Sequence, residues 1–118
     1  MHNIKDLKIW SRAIDLAIRI YGVSGKFPAD ERFGLISQIR RCAISIPSNI
    51  SEGAGRNTKG EFKQFLGIAN GSCYELQTQI VIAQKLGFIN DVDGSNILDD
   101  IDTLQKMNYK LQSALIQK

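Results

Sequence analysis

The chain has 118 residues, of which 43% are hydrophobic and 23% charged, with a formal net charge of +3. These proportions exclude a disordered chain, a collagen-like repeat and a disulfide-dense scaffold, and the length suits one domain. No apolar run nears the ~20 residues of a membrane-spanning helix, and the opening MHNIKDLKIW lacks the apolar stretch of a signal peptide, so a cytoplasmic protein with no membrane partner is expected.

Ile4, Leu7, Trp10, Ile14, Ala17, Ile18 and Tyr21 recur at spacings of three and four, which predicts a first helix over about 4–24 with that set as its buried face. Phe27-Pro28-Ala29-Asp30 reads as a turn leading into a second helix over about 30–55, with Asp30 as its cap. The apolar period of that helix (Leu35, Ile36, Ile39, Ala43, Ile46, Ile50, Ala54) stays in phase across Pro47. A helix kinked near Pro47 is therefore expected in preference to two separate ones.

Thr58 and Glu61 have the spacing of a capping box, in which each side chain satisfies the other's free backbone N–H. The third helix should start there and run to Gly87, burying Phe62, Phe65, Leu66, Ala69, Cys73, Leu76, Ile80, Ala83 and Leu86. Asn90, Asp91, Asp93 and Ser95 read as a polar connection, after which Ile97, Ile101, Leu104, Leu111 and Leu115 mark a fourth helix. Four helices with short links predict a single all-α domain, an antiparallel up-down-up-down four-helix bundle.

Charge is uneven along the chain: residues 1–59 hold ten Lys/Arg against five Asp/Glu, and residues 60–118 hold five against seven. A basic face around Arg40, Arg41, Arg56 and Lys59 is one reading, and an ordinary solvated surface is the other. On the second helix, Arg41, Ser45, Asn49, Glu52 and Arg56 stack on one flank; on the third, Glu61, Ser72, Glu75 and Gln79 do the same. Should these flanks meet, Glu75 would pair with Arg41 or bond Ser45 and Asn49 in a polar seam; otherwise both are solvated.

Other residues fit a solitary bundle poorly. Gly60, Gly67 and Gly71 lie along the back of the third helix, each costing ~1 kcal/mol relative to Ala in an exposed helix, and close approach of another backbone is the physical reason to keep them. Tyr74 and Val81, with Phe33 and Ile44 on the second helix, also point away from the expected core. Together they favour an interface between copies of the chain over chance exposure.

Catalytic chemistry finds no constellation. The only histidine is His2, so Glu52 and Glu75 make poor metal ligands and no Ser–His or Cys–His pair can be built. No phosphate-cradling GxxxxGK[ST] occurs. Cys42 and Cys73 lack CxxC spacing and read as reduced core residues. No enzyme, metal or cofactor is expected.

The run Gln38-Ile39-Arg40-Arg41-Cys42-Ala43-Ile44-Ser45-Ile46-Pro47-Ser48-Asn49-Ile50-Ser51-Glu52-Gly53 resembles the signature QIRRA-x-SIPSNIAEG of the bundle proteins encoded in intervening sequences of 23S rRNA genes, with Cys42 and Ser51 in place of Ala. The likeness extends from Leu7–Trp10 through Phe27-Pro28, Gly34-Leu35, Phe62–Leu66, Gly71-Ser72 and Glu75-Leu76 to Leu86-Gly87. It implies a four-helix bundle that assembles into a ring-like homopentamer with a basic surface for nucleic acid. Similar bundles serve as accessory subunits of retroelement reverse transcriptases.

The leading expectation is thus a non-catalytic homo-oligomer that binds RNA or DNA through Arg40, Arg56, Lys59 and Lys63. An adaptor that presents helix faces to a partner protein, with no nucleic-acid contact, is the alternative.

Overall fold

Helix ends leave backbone groups without intrahelical partners, and local side chains and turns decide where each helix of this chain starts and stops. The computed structural model describes residues 3–116; His2 lies outside them. Four helices follow one another among these residues: α1 (Lys8–Ser24), α2 (Leu35–Ala54), α3 (Lys59–Lys85) and α4 (Asp91–Ile116), with 3-10 turns at Ile4–Asp6 and Ala29–Glu31. No strand occurs among the described residues, and none of these helices is long and apolar enough to cross a membrane. Successive helices pack as neighbours and α4 closes back on α1, giving the expected up-down-up-down bundle with α1 and α3 on one diagonal.

Several boundaries differ from the sequence expectation, each for a reason visible in the cap. α2 starts at Leu35, not Asp30, because Pro28–Glu31 forms its own 3-10 turn and Glu31 Oε1 accepts from the Leu35 amide at 3.1 Å. Thr58 caps α3, its Oγ1 accepting from Glu61 N at 3.1 Å. Only that arm of the capping box forms, since Glu61 Oε1 accepts a hydrogen bond from the Thr58 hydroxyl at 3.0 Å and does not reach back to the Thr58 amide. Asn90 is a true N-cap, accepting from Asp93 N at 2.8 Å, so the supposed polar connection is the first turn of α4.

Just past the end of α3, Gly87 has a φ of +78°, in the left-handed region that glycine enters without steric cost. There Phe88 N donates to Ala83 O at 2.9 Å and Gly87 N to Gln84 O at 3.0 Å, the paired bonds of a Schellman motif. Gly87→Ala is expected to lower stability by about 1 kcal/mol, measured as a shift of the urea midpoint at unchanged slope.

α2 runs through Pro47 as one element, with the ring buried, so the in-phase apolar pattern across the proline reflects a single helix. Its core residues Ile36, Ile39, Ala43, Ile46, Ile50 and Ala54 are those expected, and α3 likewise buries Phe62, Leu66, Ala69, Cys73, Leu76, Ile80 and Ala83. α1 differs: its buried set is Ile9, Ala13, Leu16, Ala17 and Ile20, whereas Ile18 and Tyr21 are exposed. Two apolar stripes of helical period share α1, and the neighbouring helices cover the one that the sequence reading did not choose. Phe65 is half-buried and Leu86 exposed at the rim of α3.

Candidate functional site

Antiparallel connectivity converts the charge imbalance along the sequence into one along the bundle axis. The first half of α1, the α2–α3 turn with its flanking half-helices, and the last half of α4 share one end. This end, made of residues 3–15, 45–72 and 104–116, carries eight Lys/Arg against four Asp/Glu. Residues 16–44 and 73–103 form the other end, with six against eight, five of the eight being the aspartates of the first half of α4. The molecule is 48 Å long, several times the ~8 Å Debye length at physiological salt, so the two ends present separate fields to a ligand.

Arg56, Lys59 and Lys63 are gathered at the basic end, where α2 gives way to α3. Arg56 is held there by Glu52 Oε2 at 3.0 Å and by stacking of its guanidinium 4.9 Å above the Phe65 ring. Both contacts leave it partly exposed, so it is oriented but still open to a phosphate. Lys59 is exposed and Lys63 half-buried on the first turns of α3.

Arg40 stands apart from this group, about 24 Å away along α2 at 1.5 Å per residue. Its Nε donates to Ser24 Oγ at 2.8 Å, its terminal nitrogen to Tyr21 O at 3.1 Å, and its guanidinium lies 4.6 Å over the Tyr21 ring. A cation bonding the last carbonyls of α1 is a helix C-cap, so Arg40 fastens α1 to α2. The Arg40–Arg41 doublet carried no sign of this, because the partners lie sixteen and more residues upstream.

The polar flanks of α2 and α3 do meet, but more narrowly than expected. The Ser45 and Ser72 hydroxyls are 2.8 Å apart, and Cys42 Sγ donates to Ser72 O at 3.2 Å. Ser45 also bonds Cys42 O, and Asn49 bonds Ser45 O, both within α2. Glu52 turns to Arg56 on its own helix, and no ion pair among the described residues joins Arg41 to Glu75. Arg41, Asn49 and Glu75 instead line an open groove of about 560 Å³ between the helices, bounded by Phe33 and Ile68.

Burial pushes both thiols up to about 12, with the Glu75 carboxylate adding to the effect at Cys42. Neither cysteine is in a disulfide, and both are buried. A folded-state value above the unfolded one makes a stability contribution that is complete below pH 9 and is lost as pH rises towards 12. Unfolding at fixed denaturant should therefore become easier only above about pH 9, and neither thiol should react with iodoacetamide in the native protein at pH 8. Among the described residues no group of three or more His, Cys, Asp or Glu is placed to hold a metal ion.

Of the residues expected at an interface, Phe33 (88%), Tyr74 (61%) and Ile44 (44%) are exposed, and Val81 is half-buried. Gly67 and Gly71 are open: a Cβ at either would meet nothing within 4 Å, so no backbone of the same chain approaches them. Ile68 and Ile82 on α3 and Ile18 on α1 are also exposed. The sequence reading passed over Ile68 and Ile82, each lying between residues of the stripe assigned to the core, and it placed Ile18 in the stripe expected to be buried.

A family model described as 23S rRNA-intervening sequence protein matches residues 5–110. A solved protein of unknown function from the S23 ribosomal protein family of Bacteroides thetaiotaomicron has the same fold, with a TM-score of 0.79 and 23% identity over 86% of this chain and 95% of that one. No curated protein matches the chain.

Proposed function

The chain belongs to the 23S rRNA-intervening sequence protein family, and on that premise we propose that it is a non-catalytic cytoplasmic homo-oligomer, pentameric as the family resemblance implies, that holds RNA or DNA against the basic end of its bundles. The observation that carries this reading is the gathering of Arg56, Lys59 and Lys63 at the end with the cationic excess, away from the aspartates of α4.

Three cations on one subunit make a weak site. Repeated around an assembly, they act on one polyanion with the gain of avidity, since each further contact is intramolecular. Phosphate contacts give affinity without sequence preference, as expected of a basic turn that offers no helix to a groove. Arg40 is excluded from the contact set, being committed to α1.

Fluorescence anisotropy with a labelled RNA hairpin and a DNA duplex tests the reading. Binding at 50 mM salt that weakens by about 10³-fold at 200 mM is expected for six or more phosphate contacts. Assembled protein that binds neither probe at 50 mM salt would overturn it.

A further inference from the structure

Of the large apolar groups exposed among the described residues, five lie on two opposite corners, while Phe33, Ile44, Leu86, Val92 and Tyr109 are spread over α2, α4 and the helix connections. One corner is α1, with Ile18 66% and Tyr21 43% exposed; the other is α3, with Ile68 48%, Tyr74 61% and Ile82 44% exposed. These helices occupy one diagonal of the bundle and run in the same direction.

Each side also carries charges that no ion pair among the described residues satisfies: Arg12 and Asp15 in the groove between α1 and α4, Arg41 and Glu75 in the groove between α2 and α3, and Lys85 beside Tyr74 and Ile82. The heights agree as well. Arg19 is paired with Asp100 on α4, and Gln105 of α4 reaches Gln77 of α3, so Ile18 and Tyr21 lie level with Ile82, and Arg12 lies level with Tyr74 and Glu75.

A two-fold dimer needs one self-complementary patch, whereas two different patches on opposite sides of a subunit build head-to-tail contacts that close into a ring when each step is a pure rotation. Level patches on parallel helices meet the second condition without any slide along the axis. We infer that the α1 face of one copy seats on the α3 face of the next copy, burying Ile18 and Tyr21 against Ile82 and bringing Arg12 and Asp15 to Tyr74, Glu75 and Arg41. The open Cα of Gly71 gives the incoming helix room to approach.

This inference rests on the oligomeric reading above and adds which surfaces meet. Rotation about an axis along the bundle keeps the copies parallel, so every basic end lies on the same face of the ring.

The test uses a chain with Ile18→Cys and Ile82→Cys, treated with a bis-maleimide and run on a denaturing gel, the native thiols being buried. The double variant should give a ladder of covalent multimers ending at the number of chains in the ring, and either single variant should give none. Covalent dimers from a single variant, or no ladder from a double variant whose light-scattering mass is multimeric, would overturn the inference. Ile18→Asp alone should reduce the mass to one chain with its helical circular dichroism unchanged and its Tm lowered by the loss of association, and a retained multimer would overturn it equally. A wild-type mass of one chain at all concentrations would instead remove the oligomeric reading itself.

Discussion

Gly53→Ala is expected to destabilise the protein by about 2 kcal/mol, the largest loss that a single added methyl group should cause here. Alanine is the better helix former by ~1 kcal/mol in an exposed helix, so on local grounds alone the change would be favourable. The site reverses the sign. A Cβ at Gly53 would lie 2.7 Å from Phe65 Cβ, 3.0 Å from Phe62 Cδ1 and 3.2 Å from the Phe62 carbonyl oxygen.

The last turn of α2 thus packs directly on the first turns of α3, and both obstacles are rooted in backbone that cannot swing aside. Overpacking of this kind costs ~1–3 kcal/mol beyond any gain in propensity. Urea unfolding should show a lowered midpoint with unchanged slope; an unchanged or raised midpoint would mean that the two helices are farther apart.

The second large effect is expected at Asn108, which is 2% exposed on the core seam of α4. Its Nδ2 donates to the Leu66 carbonyl of α3 at 2.9 Å, and its Oδ1 accepts from Gln112. A buried amide satisfied on both sides fixes the register of α4 against α3, the role that a single polar residue can play in helix packing. Asn108→Ala removes both bonds and leaves a cavity, and about 2–3 kcal/mol should be lost. Asn108→Leu keeps the volume, so its loss should be smaller. Equal losses for the two would mean that packing alone holds α4 in place.

Asn108 also shows how far the sequence could be read. The apolar positions of α4 run 97, 101, 104, then 111 and 115, and the missing step at 108 is where a core residue belongs. The gap was visible, but the type of residue in it was not apolar, so periodicity passed over it. The number of helices, their order and the cores of α2 and α3 follow from spacing, because each of those helices has one dominant stripe facing its neighbours.

α1 misled for the opposite reason. Its two stripes are comparably apolar, and choosing between them needs the positions of α2 and α4, which no local pattern holds. Gly53 and Arg40 were hidden in the same way: one is defined by Phe62 and Phe65 across a turn, the other by carbonyls of α1. At the candidate site, the grouping of Arg56, Lys59 and Lys63 was legible because they are close in sequence. The charge polarity of the whole bundle appears only when antiparallel helices bring residues 3–15 beside 45–72 and 104–116.

The proposed contact is between the basic end and phosphates. It is tested most directly by the slope of log affinity against log salt for a DNA duplex, comparing the wild type with a chain carrying Arg56→Ala, Lys59→Ala and Lys63→Ala. These positions are at least partly exposed, and equal Tm and mass for the two proteins would show the fold and assembly intact. Each lost contact lowers the slope by about 0.9, so a fall of about three units or more is expected. A triple variant with the wild-type slope would place the contact elsewhere and contradict the account.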